Sequence, residues 1–134
     1  MSWIVDASVA VKWYCQEPGS AAAVAWLAAS PPEAPELLLV EVANTFWRKV
    51  QKGQMTEASA QVALHDLPAV LARLIPATDL APRALAIASA LRHPVYDCLY
   101  LALAERSGTR VVTDDRRLLA VCQGTAWQGC VEGL

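Results

Sequence analysis

Arg110-Val111-Val112-Thr113-Asp114-Asp115-Arg116-Arg117-Leu118-Leu119-Ala120-Val121 carries the signal that decides the fold. Its first four residues are rich in β-branched side chains and predict a short strand. Two acids stop that strand. Leu118, Leu119 and Val121 then mark a helix that Gly124 ends. The start of the chain repeats the order: Trp3-Ile4-Val5 predicts a strand, Asp6 ends it, and Ala7 to Tyr14 reads as helix up to Pro18-Gly19. Both strand runs are continuously apolar, the pattern of strands buried on two faces in a parallel sheet.

Working inward, Ser20 to Ala29 predicts a helix closed by Pro31-Pro32, and those prolines with Pro35 predict a rigid linker. Leu37-Leu38-Leu39 leads into a helix from Val40 to Lys52, where Val42, Phe46 and Val50 recur at helical spacing ahead of Gly53. Thr56 is the expected N-cap of a long helix, with Val62, Leu67, Val70, Leu71 and Leu74 on its apolar stripe. Leu74 to Ala77 predicts a further strand, and Asp79 is expected to cap a helix to Leu91. His93-Pro94 marks a turn, and Val95 to Arg106 reads as a helix ended by Ser107-Gly108. A tail strand is expected around Trp127 to Val131. Strands alternating with helices predict an α/β sandwich with a parallel sheet. At 134 residues the chain reads as one domain, 1–134.

Composition removes several classes. Hydrophobic residues make up 55% and charged residues 18%, enough to bury a core without staples. The net charge of −2 offers no bulk positive field for coating nucleic acid. No basic segment precedes an apolar run at the N-terminus, so no signal peptide is expected. The longest apolar run, residues 21–29, is about half of what spans a bilayer. Cys15, Cys98, Cys122 and Cys130 form no Cys-x-x-Cys pair, and the histidines are His65 and His93. That argues against a zinc site or a disulfide framework; Cys98 and Cys122 read as core residues of a cytosolic protein.

The chemistry lies in the acids. Asp6 directly follows the first strand, where it can cap a helix or face the sheet edge. Glu41 sits in Leu37-Leu38-Leu39-Val40-Glu41-Val42-Ala43, an otherwise apolar stretch, and Asn44 shares its helix side. Asp97 breaks the apolar run from Val95 to Ala102. For both, favourable placement in the first turn of a helix is the plain alternative. Of Asp114 and Asp115, one is expected to cap the following helix and the other to face the sheet edge. Ligands gather at the carboxyl ends of strands in such sheets. Acids collected there would repel one another, and a hard divalent cation with oxygen ligands, magnesium or manganese, would relieve that repulsion. With Asp6, Glu41, Asp97 and Asp115 set aside, bases outnumber acids, so the remaining surface tolerates a polyanion.

Four stretches resemble the motifs of PIN-domain proteins, specifically the VapC-type toxin ribonucleases of toxin–antitoxin pairs. They are Ile4-Val5-Asp6-Ala7-Ser8, Glu41-Val42-Ala43-Asn44, Tyr96-Asp97-Cys98-Leu99-Tyr100-Leu101-Ala102, and Val112-Thr113-Asp114-Asp115. The resemblance covers nearly the whole chain. It implies a three-layer α/β/α fold and a metal-dependent endoribonuclease in which metal-activated water attacks an RNA phosphodiester. Asp6, Glu41 and Asp97 would be the main metal-site acids, with Asp115 the fourth, because it fills the third place of Thr-x-Asp. Asp114 fills the variable place. Ser8 and Thr113 would be supporting hydroxyls, and Asn44 would steady the Glu41 carboxylate. It further implies Mg2+ or Mn2+, a cytoplasmic location, a homodimer, and a VapB-type antitoxin whose tail crosses the active-site groove.

Trp13, Tyr14 and Trp47 could floor such a groove, or could pack in the core or a dimer contact. Lys12 and Arg117 are the best candidate RNA contacts, each close in sequence to a proposed ligand; Arg48, Lys49, Lys52, Arg92 and Arg116 are further cations. A phosphoaspartate phosphatase would carry a second Asp where Ser8 stands, and a receiver domain would show paired acids on the first strand. A non-catalytic RNA-binding or scaffold version of the same fold is the remaining alternative, although such versions usually lose a motif acid.

Overall fold

The computed structural model describes residues 2–134. Five parallel strands form one sheet: β1 (Ile4–Val5), β2 (Glu33–Pro35), β3 (Arg73–Ile75), β4 (Val111–Thr113) and β5 (Val131–Gly133). Their spatial order is β3-β2-β1-β4-β5. The chain winds outward from β1 to β2 and β3, then returns to lay β4 and β5 on the other side. Connections therefore leave β1 and β4 in opposite directions, which opens a crevice beyond their carboxyl ends. Val5 pairs with Val112, so Asp6 and Thr113 emerge side by side at that crevice.

Helices cover both faces, the three layers the sequence leads one to expect. They are α1 (Ala7–Ala10), α2 (Ser20–Ala29), α3 (Leu37–Gln51), α4 (Glu57–Val70), α5 (Ala77–Leu91), α6 (Val95–Ser107) and α7 (Arg116–Cys122). Strand alternation sorts the core. Ile4 and Val111 point to one face and pack with Leu80, Ile87, Leu101, Leu103 and Leu118 from α5, α6 and α7. Val5 and Val112 point to the other and pack with Val9, Leu38, Val42, Phe46 and Leu67 from α1, α3 and α4. Residues from Cys98 to Ala104 on α6 are all buried, so that helix is apolar all round. Cys98 and Cys122 are buried free thiols, as expected of core residues. No helix among the described residues is long and apolar enough to cross a membrane.

The structure corrects four expectations. Residues around Pro35 are not a linker: β2 pairs with β1 on one side and β3 on the other, with Ala34 fully buried. Pro35 is tolerated because it ends the strand, and the next amide, from Glu36, bonds the Ile75 carbonyl instead. The helix begun at Ala7 tightens to a 3-10 turn at Val11–Trp13. Thr56 does cap α4, accepting from the Ser59 amide, but Val62 is 71% exposed, and Leu74 lies in β3 because Leu71 leaves the helix in an extended conformation. Asp79 does not cap α5, which begins two residues earlier behind Pro76; Asp79 instead stands in the first turn, where a negative charge suits the helix dipole.

Candidate active site at the carboxyl end of the sheet

Asp6 is the N-cap of α1 and the deepest acid, 7% exposed. Its Oδ1 accepts from the Ser8 hydroxyl at 2.6 Å and from the Val9 amide at 3.3 Å, and its Oδ2 accepts from the Thr113 hydroxyl. Both sequence alternatives therefore hold at once, since the residue caps a helix and also faces the crevice. Ser8 and Thr113 lock the two strand ends together. The Asp114 amide donates to Ser8 Oγ, and the Asp115 amide donates to Thr113 Oγ1, both at 2.9 Å. The acidic turn is thus held by the hydroxyls that also hold Asp6.

Asp115 caps α7, its Oδ1 accepting from the Arg117 and Leu118 amides at 2.9 and 3.3 Å. Asp114 turns away and pairs with Lys12 at 3.2 Å. Glu41, on the second turn of α3, accepts a 2.5 Å hydrogen bond from the Tyr100 hydroxyl of α6. Asp97, in the first turn of α6, meets His93 Nε2 at 2.6 Å. Tyr100 and His93 are the site residues that sequence reading missed. Tyr100 carried a signal: a tyrosine inside a helix buried all round needs a partner for its hydroxyl.

Asn44 does not steady Glu41. It is exposed and lines the cleft, and among the described residues it makes no hydrogen bond to that carboxylate. Sharing a helix side brings neighbours close without aiming one at the other, and Tyr100 reaches Glu41 from a different helix. Lys12 is buried, with its ammonium already bonded to Glu17, the Pro18 carbonyl and Asp114. Arg117 is exposed, with no side-chain hydrogen bond among the described residues. Trp13 and Tyr14 do not floor the crevice: Trp13 stacks edge-on with Trp3 and donates to the Ala23 carbonyl, and Tyr14 bonds Asp66. Trp47 is 58% exposed in a separate groove between α3 and α4.

The electrostatics join the four acids. Burial pushes the Asp6 carboxyl up to about 6 against its three hydrogen bonds, and the charge of Asp115 adds to the rise. Burial also raises Glu41; Tyr100 opposes this, and the charges of Asp97 and Asp115 reinforce it. Burial, then Glu41, Asp6 and Asp97, holds the Tyr100 hydroxyl well above its ordinary value, so it stays a donor. No Lys or Arg pairs with any of the four acids among the described residues. Nor is any group of three or more His, Cys, Asp or Glu side chains arranged among them to hold a metal ion. Each carboxylate has at least one oxygen turned to a protein donor. The four carboxylates are nevertheless of the oxygen-donor kind that suits a hard cation, and the charges of Asp115 on Asp6 and of Asp97 and Asp115 on Glu41 raise those groups.

Residues 3–123 match the PIN domain family. Ribonuclease VapC3 of Pyrobaculum aerophilum is 33% identical over 121 residues, covering 88% of this chain and 92% of the relative. A crystal structure from the same organism superposes with a TM-score of 0.72 at 25% identity, over 93% of this chain and 82% of that one. A toxin–antitoxin complex from Klebsiella pneumoniae has a chain of the same fold, with a TM-score of 0.66 at 16% identity, over 98% and 96% of the two chains. The chain belongs to the PIN-domain family. Within that family it is of the VapC type.

Proposed function

We propose that the protein is a metal-dependent endoribonuclease toxin of a type II toxin–antitoxin pair, acting in the cytoplasm as a homodimer and neutralised by a VapB-type antitoxin. The observation that carries this reading is Asp6: a buried carboxyl at the sheet crevice, raised to about 6, sharing its field with Asp115 and paired with no Lys or Arg among the described residues. The ribonuclease name of the Pyrobaculum relative and the antitoxin in the Klebsiella complex support the substrate and the partner.

Asp6, Glu41, Asp97 and Asp115 would hold magnesium or manganese. When bound, the ion supplies a water of lowered pKa and positive charge beside the phosphodiester. The protein's own contribution is to keep the carboxylates ready. Ser8 and Thr113 fix the Asp6 rotamer from two sides. Tyr100 holds Glu41 from α6, and His93, just ahead of α6, holds Asp97. The Lys12–Asp114 pair anchors the turn that carries Asp115. The cleft, of about 630 Å3, is bordered by Glu41, Ser8 and Asn44.

Expressing the chain without an antitoxin should arrest growth, and the Asp97→Ala variant should not. The matching measurement is cleavage of total RNA by each purified protein; equal toxicity of the two would exclude cleavage at this site as the cause. Tyr100→Phe tests the positioning of Glu41. Losing an outer hydrogen bond to a metal-site ligand costs on the order of 10- to 100-fold in activity or metal affinity. We expect a loss in that range, seen in both RNA cleavage and calorimetric Mn2+ affinity. Unchanged values in both would show that the tyrosine only packs.

A further inference from the structure

The cleft beside Glu41 has a second wall that the acids do not use. It is built from Lys12, Glu17, Arg48 and Lys49. Lys12, in the 3-10 turn, donates to Glu17 Oε1 at 3.1 Å; Lys49, on α3, donates to Glu17 Oε2 at 3.1 Å. One carboxylate thus holds two ammonium groups, one on each oxygen. Burial pushes Glu17 up, but the hydrogen bonds and charges of the two lysines outweigh it and leave the carboxyl below its ordinary value. Arg48 is exposed beside Lys49, and among the described residues its guanidinium reaches only a 3.5 Å contact with Thr45.

A nucleic-acid phosphate carries the charge of a carboxylate and likewise presents two unbridged oxygens to N–H donors. We propose that Lys49, with Arg48 beside it, binds a phosphate of single-stranded RNA flanking the scissile bond, and that Glu17 occupies that phosphate's place in the free protein. The proposal rests on reading the adjacent acids as a ribonuclease site. Lys12 is too buried to follow a strand, and it keeps Asp114 and the Pro18 carbonyl when Glu17 moves. One anion replaces another on Lys49, so no cation is left bare at any point. Glu17 is therefore an internal competitor that weakens RNA binding.

The test is fluorescence anisotropy of a short, labelled, mixed-sequence single-stranded RNA, titrated at several salt concentrations in the Asp6→Asn background to prevent turnover. Lys49→Ala should weaken binding roughly threefold or more and flatten the slope of log K against log salt by about 0.7, the share of one phosphate contact on a single strand. Glu17→Gln should tighten binding roughly threefold and steepen that slope. In the double variant the Glu17 gain should vanish, because Glu17 acts through Lys49. Melting temperatures check that each variant is folded; should Glu17→Gln fail to fold, Lys49→Ala alone decides. Unchanged affinity and slope in Lys49→Ala, or no tightening in a folded Glu17→Gln, overturns the proposal. If the unmutated protein cleaves RNA while these variants behave like their parent, only the phosphate subsite is lost. If it neither binds nor cleaves RNA, the ribonuclease reading falls as well.

Discussion

Asp6→Asn should cut RNA cleavage by at least about 100-fold, the scale of removing one acid–base or charge-bearing group from an active site, and should make the metal-free protein more stable at neutral pH. Asn is as good an N-cap as Asp, and its Oδ1 can still accept from Ser8 and the Val9 amide, so α1 keeps its start; its Nδ2, in place of Oδ2, cannot accept from Thr113 and instead can donate to that hydroxyl. The stability gain follows from the raised pKa. An ordinary Asp in the unfolded chain titrates at 3.8, whereas Asp6 in the fold titrates at about 6, so the folded state holds the proton more tightly. Well below pH 3.8 the side chain is neutral in both states and costs nothing. As pH rises from 4 to 6 it ionises first in the unfolded chain, and up to about 3 kcal/mol of stability is lost. Asn is neutral throughout and escapes that loss. Thermal unfolding followed by tryptophan fluorescence, without divalent ions, should show the variant several degrees more stable at pH 7.5 and close to the parent at pH 4. A variant that still cleaves at the parental rate, in a preparation free of contaminating nuclease, would remove Asp6 from the chemistry. Equal melting temperatures at pH 7.5 would remove the charge strain.

Most of the architecture was legible because β1, β4 and α6 carry their own signals. Ile4-Val5 and Val111-Val112 are continuous apolar runs ended by acids, and the stretch from Cys98 to Ala104 is apolar at every position. The second strand was not legible. Glu33-Ala34-Pro35 has one small apolar residue and a proline without an amide hydrogen; only pairing with β1 and β3 makes it a strand. Helix boundaries failed where local preference was overridden. Asp79 is a good cap by type, but Pro76 starts α5 first.

The candidate site divides in the same way. Asp6 stood out in the sequence because it follows β1 directly, whereas the choice of Asp115 over Asp114 came only from the family resemblance; β1 and β4 are neighbours in the sheet. Glu41 and Asp97 stood out as charges in apolar runs. The partner of Glu41 was hidden, because Tyr100 lies 59 residues away, whereas His93, the partner of Asp97, is only four residues off. Of the two readings of Trp13 and Tyr14, packing is the one seen: closeness in sequence to Asp6 does not fix direction, and both rings are half-buried against the core, with Tyr14 reaching Asp66. Lys12, expected as an RNA contact, lines the cleft but is buried with three protein acceptors.

Removing divalent ions should abolish cleavage, and adding them should stabilise the fold in a way that depends on pH. An ion that binds the folded protein and not the unfolded chain adds about 2.7 kcal/mol when present at 100 times its dissociation constant. It must bind ionised carboxylates, so protons compete with it. Asp6 is largely ionised at pH 7.5 and largely protonated at pH 5, given its value of about 6. Magnesium or manganese should therefore raise the melting temperature by several degrees at pH 7.5 and much less at pH 5. The same ions should do little for Asp6→Asn, which lacks one ligand charge. This separates a true site from general screening, since screening would act alike on both proteins at both pH values. It also answers the arrangement of the free carboxylates, each now turned to a protein hydroxyl, amide or imidazole. Asp6 accepts three such bonds, Asp115 two, and Glu41 and Asp97 one each, so a cation shared among the acids competes with those donors. Cleavage that survives thorough chelation, or a melting temperature indifferent to both ions at pH 7.5, would mean that the four acids do not share one.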